Sequence, residues 1–149
     1  RIDLTAVAHD AVTDASVIDA GRAVVLDAPA PVWVDGDAQR LRQVVDNLLR
    51  NVRAHTPAGT GARVEVRLDG ETAQLRVLDG GPGIPDEHLV HVFDRFWRRD
   101  ESRTRATGGS GLGLAIVRAL VDAHHGSVTA GNRVDGTGAV FTVRLPAAR

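Results

Sequence analysis

The residues best suited to chemistry fall in four short blocks. Asn47 and Asn51 stand one helical turn apart, so their amides would project side by side. Two amide oxygens at that spacing can serve a hard cation such as Mg²⁺, provided that phosphates supply most of the negative charge. Asp79 precedes Gly80-Gly81-Pro82-Gly83-Ile84-Pro85. A carboxylate at such a strand edge can accept a hydrogen bond from an exocyclic amine such as adenine's, and a bond to a charged group contributes about 1.5–3 kcal/mol. The adjoining glycines let the backbone approach a flat ring. The third block, residues 92–99, concentrates Phe93, Phe96 and Trp97 beside Arg98 and Arg99, which suggests an anchor for a lid whose guanidinium can meet phosphate. The fourth, Gly108-Gly109-Ser110-Gly111-Leu112-Gly113, feeds a helix start where successive N–H groups and the helix dipole suit a triphosphate. Each block read alone also admits a plainer account: solvated Asn residues, an ordinary Asp-Gly turn, a hydrophobic plug closing the core, a flexible turn.

Composition narrows the class. The 149 residues are 43% hydrophobic with a formal net charge of -1. That predicts one domain, residues 1–149, burying roughly two thirds of its unfolded surface. The near-neutral balance offers no electrostatic case for nucleic acid as a partner. No apolar run approaches the roughly 20 residues of a membrane span. A chain that starts at Arg1 and contains no Met reads as a fragment, so a parent anchored in the cell membrane with this domain in the cytoplasm is compatible. Cysteine is absent, which excludes disulfides and cysteine–metal sites. All 18 Lys or Arg residues are Arg. The lysine of a Walker A loop and the strand lysine of eukaryotic-type protein kinases are therefore missing, and phosphate chemistry must use Arg, backbone amides, metal or helix termini.

The elements that would position these blocks follow from periodicity. Residues 4–20 form a weakly amphipathic helix, and residues 23–26 and 32–34 read as short strands. Asp37 caps a helix running to about Ala54, with Leu41, Val44, Val45, Leu48 and Val52 on one arc and the two Asn at its rim. Residues 63–68 alternate Val64, Val66 and Leu68 against Arg63, Glu65 and Arg67, predicting a strand with one wet face. Asp69-Gly70 signals a hairpin into residues 72–78, with Ala73, Leu75 and Val77 on one face. A short helix is expected over residues 86–93, a mobile polar loop over 98–111, and a strong helix from Gly113. Two last strands, 127–130 and 139–145, flank a turn at Asp135-Gly136. The expected fold class is α+β: a two-layer sandwich whose mixed, mostly antiparallel sheet is covered by helices on one face.

In this order the blocks resemble the N box, first glycine box, F box and second glycine box of histidine kinase catalytic domains. Gly136-Thr137-Gly138-Ala139-Val140-Phe141 is similar to the family's last glycine block, and Ile2-Asp3-Leu4 to the entry from a preceding hairpin. The resemblance, from Asp37 to Leu145, implies the Bergerat ATP-binding fold shared with DNA gyrase, mismatch-repair ATPases and a class of heat-shock chaperones. It implies a protein histidine kinase domain that binds ATP and Mg²⁺ and donates the γ-phosphate to a histidine on a separate dimerisation domain. A response regulator would later take that phosphate. The isolated domain would be monomeric and transfer little by itself, within a homodimeric parent. Carried over residue by residue, Asn51 would ligate Mg²⁺, and Asn47 would support metal and phosphates. Asp79 would bind the adenine amino group, with Gly81, Gly83 and Ile84 shaping the base pocket. Gly109, Gly111, Leu112 and Gly113 would wrap the phosphates, and Arg98 would reach the terminal phosphate from the lid.

Two departures stand out. Where family members often carry Lys and Tyr after the metal-binding Asn, this chain has Ala54 and His55, so Arg50, Arg53 or a lid Arg must compensate or affinity falls. His124-His125-Gly126 stands where His-Gly-Gly is frequent, and we read it as a helix C-terminus favouring positive charge. His9-Asp10 superficially resembles the acceptor motif, but no Pro follows Thr13, and His9 lies only 38 positions (47 minus 9) before Asn47. Of the rivals, a water-activating ATPase of the same fold is disfavoured because its Glu is replaced by Asn47, a poor general base. An anti-sigma-factor serine kinase and a nucleotide-binding pseudokinase scaffold are further alternatives, the latter resting on Ala54.

Overall fold

The computed structural model describes residues 1–97 and 111–149. Strand β1 (Ile2–Asp3) leads directly into helix α1 (Leu4–Ile18). Asp3 caps that helix, its Oδ1 accepting from Thr5 N–H at 2.9 Å and from Val32 N–H at 3.3 Å. The helix stops two residues before the expected Ala20, with Asp19 as its C-cap. Strands β2 (Val24–Asp27) and β3 (Trp33–Val34) follow, then helix α2 (Ala38–His55). Asp37 caps α2 as expected, accepting from Arg40 N–H at 3.1 Å. The hairpin β4 (Ala62–Asp69) and β5 (Thr72–Asp79) comes next, followed by the short helix α3 (Asp86–Leu89). The helix predicted to reach residue 93 ends at Leu89 and continues as turns. Helix α4 (Gly113–Ala123) and strands β6 (Ser127–Asn132) and β7 (Ala139–Pro146) complete the chain.

Five strands form the main sheet in the order β2-β4-β5-β7-β6, parallel only between β2 and β4. β3 lies outside it and pairs antiparallel with β1. Alternation decides which face of the sheet is dry. Val64 and Val66 of β4, Ala73, Leu75 and Val77 of β5, and Phe141, Val143 and Leu145 of β7 pack with Leu41, Val44, Leu48 and Val52 of α2 and Val117 and Val121 of α4. The other face is wet and charged: Glu65 pairs with Arg63 at 3.0 Å and with Arg76 at 3.0 Å. This is the two-layer α+β sandwich that the patterning implied. Leu68 departs from it. It keeps the inward parity but sits opposite Ala73 near the hairpin turn and is exposed.

The histidines after α4 correct another expectation. His124 has both ring nitrogens engaged by backbone groups. Its Nδ1 contacts the Leu120 carbonyl at 2.7 Å, and its Nε2 receives the N–H of Asp37 at 3.1 Å. An N–H can donate only to a lone pair, so the ring proton sits on Nδ1. The ring thus ties the C-terminus of α4 to the N-terminus of α2, the helix that carries both site asparagines.

Candidate functional site

Three polar side chains named from the sequence are buried in the core rim: Asp79 is 4% exposed, Asn47 6% and Asn51 8%. Burial of such groups is costly unless they are bonded, so their partners define the site.

Around Asp79 the partners are complete on one side. Asp79, the last residue of β5, accepts at Oδ1 from Gly81 N–H (2.9 Å) and from Ala139 N–H (3.2 Å). No hydrogen bond reaches its Oδ2 among the described residues. The carboxylate is thus oriented by two backbone donors and keeps one oxygen for an incoming donor. Gly81 is needed there for space, since a Cβ would fall 2.7 Å from Thr56 Cγ2 and 3.2 Å from Asp79 Oδ1. Gly138 is needed still more strictly, because its Cβ would fall 1.8 Å from the Asp79 carbonyl oxygen. The turn at Gly83, with φ 83°, is fixed from across the sheet. Asn132 at the end of β6 accepts from Ile84 N–H at 2.7 Å and donates to Ile84 C=O at 2.8 Å. Arg133 donates to the Asp79 carbonyl at 3.3 Å, and Asp135 bonded to its guanidinium raises its already high pKa.

The surroundings of the two asparagines are different. The Nδ2 atoms of Asn47 and Asn51 are buried without a partner among the described residues. Asn47 Oδ1 accepts from Arg50 Nη1 at 3.2 Å, so Arg50 stands beside the pair. Arg53 does not. Its guanidinium is held below its usual value by burial first and by neighbouring Arg50 second, and it faces the α1 end near Asp19. Gly113, first residue of α4, meets the same asparagine: a Cβ there would lie 3.8 Å from Asn47 Oδ1. Leu112 occupies the N-cap position of α4 with no side-chain cap bond. The first and fourth blocks, 66 residues apart in sequence (113 minus 47), therefore meet in space.

The third block divides by function. Val92 lies in the core, and Phe93 meets Phe141 edge-on at 6.2 Å, as the plug reading requires. Trp97 packs edge-on against His88 at 5.3 Å. Phe96 instead points outward, 66% exposed with φ 64°, and its N–H donates to the Gly111 carbonyl at 2.8 Å. Arg98, Arg99, Gly108, Gly109 and Ser110 lie outside the described residues. Sequence reasoning missed Asn132, Arg133 and Thr56, each of which contacts Asp79 or the turn after it from a remote position in the chain. No local motif marks them. Among the described residues no cluster of His, Cys, Asp or Glu could hold a metal by itself. A cation here would have to be completed by the ligand.

A sandwich of this topology, with a buried Asp at the end of β5 and a paired Asn helix across from it, defines a class of nucleotide-binding domains. A family model described as histidine kinase-, DNA gyrase B- and HSP90-like ATPase matches residues 36–149, and the chain belongs to this family. The probable sensor histidine kinase TcrY of Mycobacterium tuberculosis is 46% identical over 146 residues, covering 97% of this chain and 30% of TcrY. The signal transduction histidine-protein kinase BaeS of Escherichia coli is 40% identical over 121 residues, covering 81% of this chain and 26% of BaeS. Among solved structures, the mycobacterial sensor histidine kinase MprB superposes with a TM-score of 0.85 at 29% identity, covering 98% of this chain and 97% of the other. The ATP binding domain of PrrB from Mycobacterium tuberculosis gives 0.81 at 26%, covering 99% and 96%. Within the family the chain is a catalytic ATP-binding domain of the sensor histidine kinase kind. It spans 30% or less of the length of TcrY and BaeS.

Proposed function

We propose that this domain binds ATP with Mg²⁺ and donates the γ-phosphate to a histidine on a separate dimerisation domain, from which a response regulator takes it. The observation that carries this reading is the oriented carboxylate of Asp79, whose Oδ1 is engaged by two backbone N–H groups while Oδ2 keeps its acceptor capacity for an exocyclic amine. The unpartnered Nδ2 atoms of Asn47 and Asn51 test whether a metal–phosphate group fits at the other end. Each amide presents an NH₂ donor group for phosphate and a carbonyl oxygen for a hard cation, with the Asn47 oxygen already taking one bond from Arg50, so the residues fit. Asn51 would be the protein ligand to Mg²⁺, and Asn47 would support both metal and phosphate. Bound there, the ion would neutralise charge on the phosphates.

The chain's own residues do the rest. Asp79 selects the base, and Gly81, Gly83 and Ile84 shape the slot beside it. The backbone of Gly109, Gly111, Leu112 and Gly113 would wrap the phosphates at the start of α4, where the dipole favours anions. Arg50 stands by Asn47 and supplies the positive charge that Ala54 cannot. Arg98 would hold the terminal phosphoryl group in line as its bond to the β-phosphate oxygen breaks and a bond to the acceptor imidazole nitrogen forms. No helix among the described residues is long and apolar enough to cross a membrane, so anchoring would come from another part of a dimeric parent.

The test is calorimetric titration of ATP with Mg²⁺ and then with chelator, followed by transfer to an added hairpin domain bearing the acceptor histidine. One-site binding that weakens on chelation, with label appearing on the histidine, is the expected result. Absence of saturable ATP binding at any Mg²⁺ concentration would refute the reading.

A further inference from the structure

Arg22, in the connection between α1 and β2, is a charged residue that the nucleotide site does not use directly, yet it is only 5% exposed. Every nitrogen of its guanidinium is engaged. Nε donates to Asp19 Oδ2 at 2.8 Å, Nη1 to Thr56 Oγ1 and to the Thr60 carbonyl at 2.7 Å each, and Nη2 to the Pro57 carbonyl at 3.5 Å. Its partners span the loop that follows α2. That loop in turn abuts the glycine-rich turn, with the Gly80 N–H donating to the Gly61 carbonyl at 3.1 Å.

The contact with Thr56 is directional. The hydroxyl has one proton, which it gives to the Val52 carbonyl at 2.6 Å, and its lone pair takes the bond from Arg22. With both capacities committed, the side-chain rotamer is fixed and Cγ2 faces Gly81. Gly81 in turn donates its N–H to Asp79 Oδ1 at 2.9 Å. A chain of close contacts thus runs from the Arg22 fork through the Thr56 methyl and Gly81 to the carboxylate. None of these hydrogen bonds involves a side chain of Asn47 or Asn51.

We propose that Arg22 is a positioning residue for base recognition: its guanidinium clamps the loop from Thr56 to Gly61 onto the Gly80–Gly81 turn and so holds the adenine slot closed around Asp79. The inference rests on the adenine reading above and assigns a specificity role to a residue outside all four motif blocks. A lysine cannot substitute, because a single ammonium cannot span Asp19, Thr56 and Thr60 together.

The experiment measures adenosine affinity, and ATP affinity with Mg²⁺ and with chelator, in the wild type, Arg22→Lys, Thr56→Val and the double variant. Thr56→Ser, which keeps both hydroxyl bonds and removes only the methyl facing Gly81, is the mildest change and serves if the others do not fold. Arg22→Lys and Thr56→Val should each weaken adenosine and ATP by the same factor, about fivefold or more. The ratio of ATP affinities with Mg²⁺ and with chelator should stay at its wild-type value. The double variant should lose no more than the worse single one, because both act through one clamp. Thr56→Ser should weaken adenosine about twofold or more with the same unchanged ratio. Folded variants that bind adenosine at the wild-type level, or that lose the Mg²⁺ response instead, would overturn the proposal while leaving the adenine reading intact. A wild type that binds neither adenosine nor ATP would overturn both.

Discussion

At the base end, Asp79, Gly83 and Ile84 are held by Gly81, Ala139, Asn132 and Arg133, whereas at the phosphate end the Nδ2 atoms of Asn47 and Asn51 are buried with nothing to bond among the described residues. Both ends are comparably dry, so the difference is one of completion. Around Asp79 all but the one free carboxylate oxygen has its partners before any ligand arrives. The phosphate end carries orphaned donors, each worth about 1–3 kcal/mol, which a ligand can relieve. On the proposed reading, recognition of the base would be set by the fold, while the grip on phosphate and metal would be assembled with them.

Three substitutions would sharpen or break that contrast. The largest effect is expected from Asp79→Asn. An asparagine can keep its oxygen toward Gly81 and Ala139 but then presents an N–H₂ to the exocyclic amine, donor against donor. Adenosine and ATP should both weaken by about tenfold or more in calorimetry. Unchanged affinity would remove the adenine assignment. Asn51→Ala comes next. ATP binding in Mg²⁺ should drop about tenfold, to the level seen with chelator, while adenosine binds as before. A parallel loss for adenosine would mean that the two ends are not separable. Arg50→Ala should have the smallest effect, about threefold on ATP and none on adenosine, because its exposed guanidinium is well screened by water. If ATP affinity did not change, the positive charge missing at Ala54 would have to come from the segment outside the described residues.

Much of this arrangement was legible in the chain. The α2 apolar arc, its Asp37 cap and the β4–β5 alternation are local patterns, and, Leu68 apart, each folded as its period required. Asp79 and its glycines were legible for a related reason: a strand end followed by Gly-Gly-Pro-Gly is itself a local instruction. The short helix over residues 86–93 was overestimated because turns and a short helix share the same polar, proline-led start. His124 was misjudged because its decisive partner, the Asp37 N–H, lies 87 positions away. Asn132 clamps Ile84 from 48 positions away, and Arg22 reaches Thr56 and Thr60 across 34 and 38.

By itself, then, the sequence determined which residues could do chemistry, which faces of the helices and strands turn inward, and which family the chain resembles. The first two depend on residue type and on spacings of two to four positions, and the resemblance on the order of the blocks along the chain. Only the tertiary structure decided that Oδ1 of Asp79 is occupied, that Arg50 and not Arg53 flanks the asparagines, and that a buried arginine outside every motif bonds the loop after α2. Each of those outcomes is a hydrogen bond, or the lack of one, between groups brought together by the packing of helices on the sheet, and no local period encodes which donor will find which acceptor.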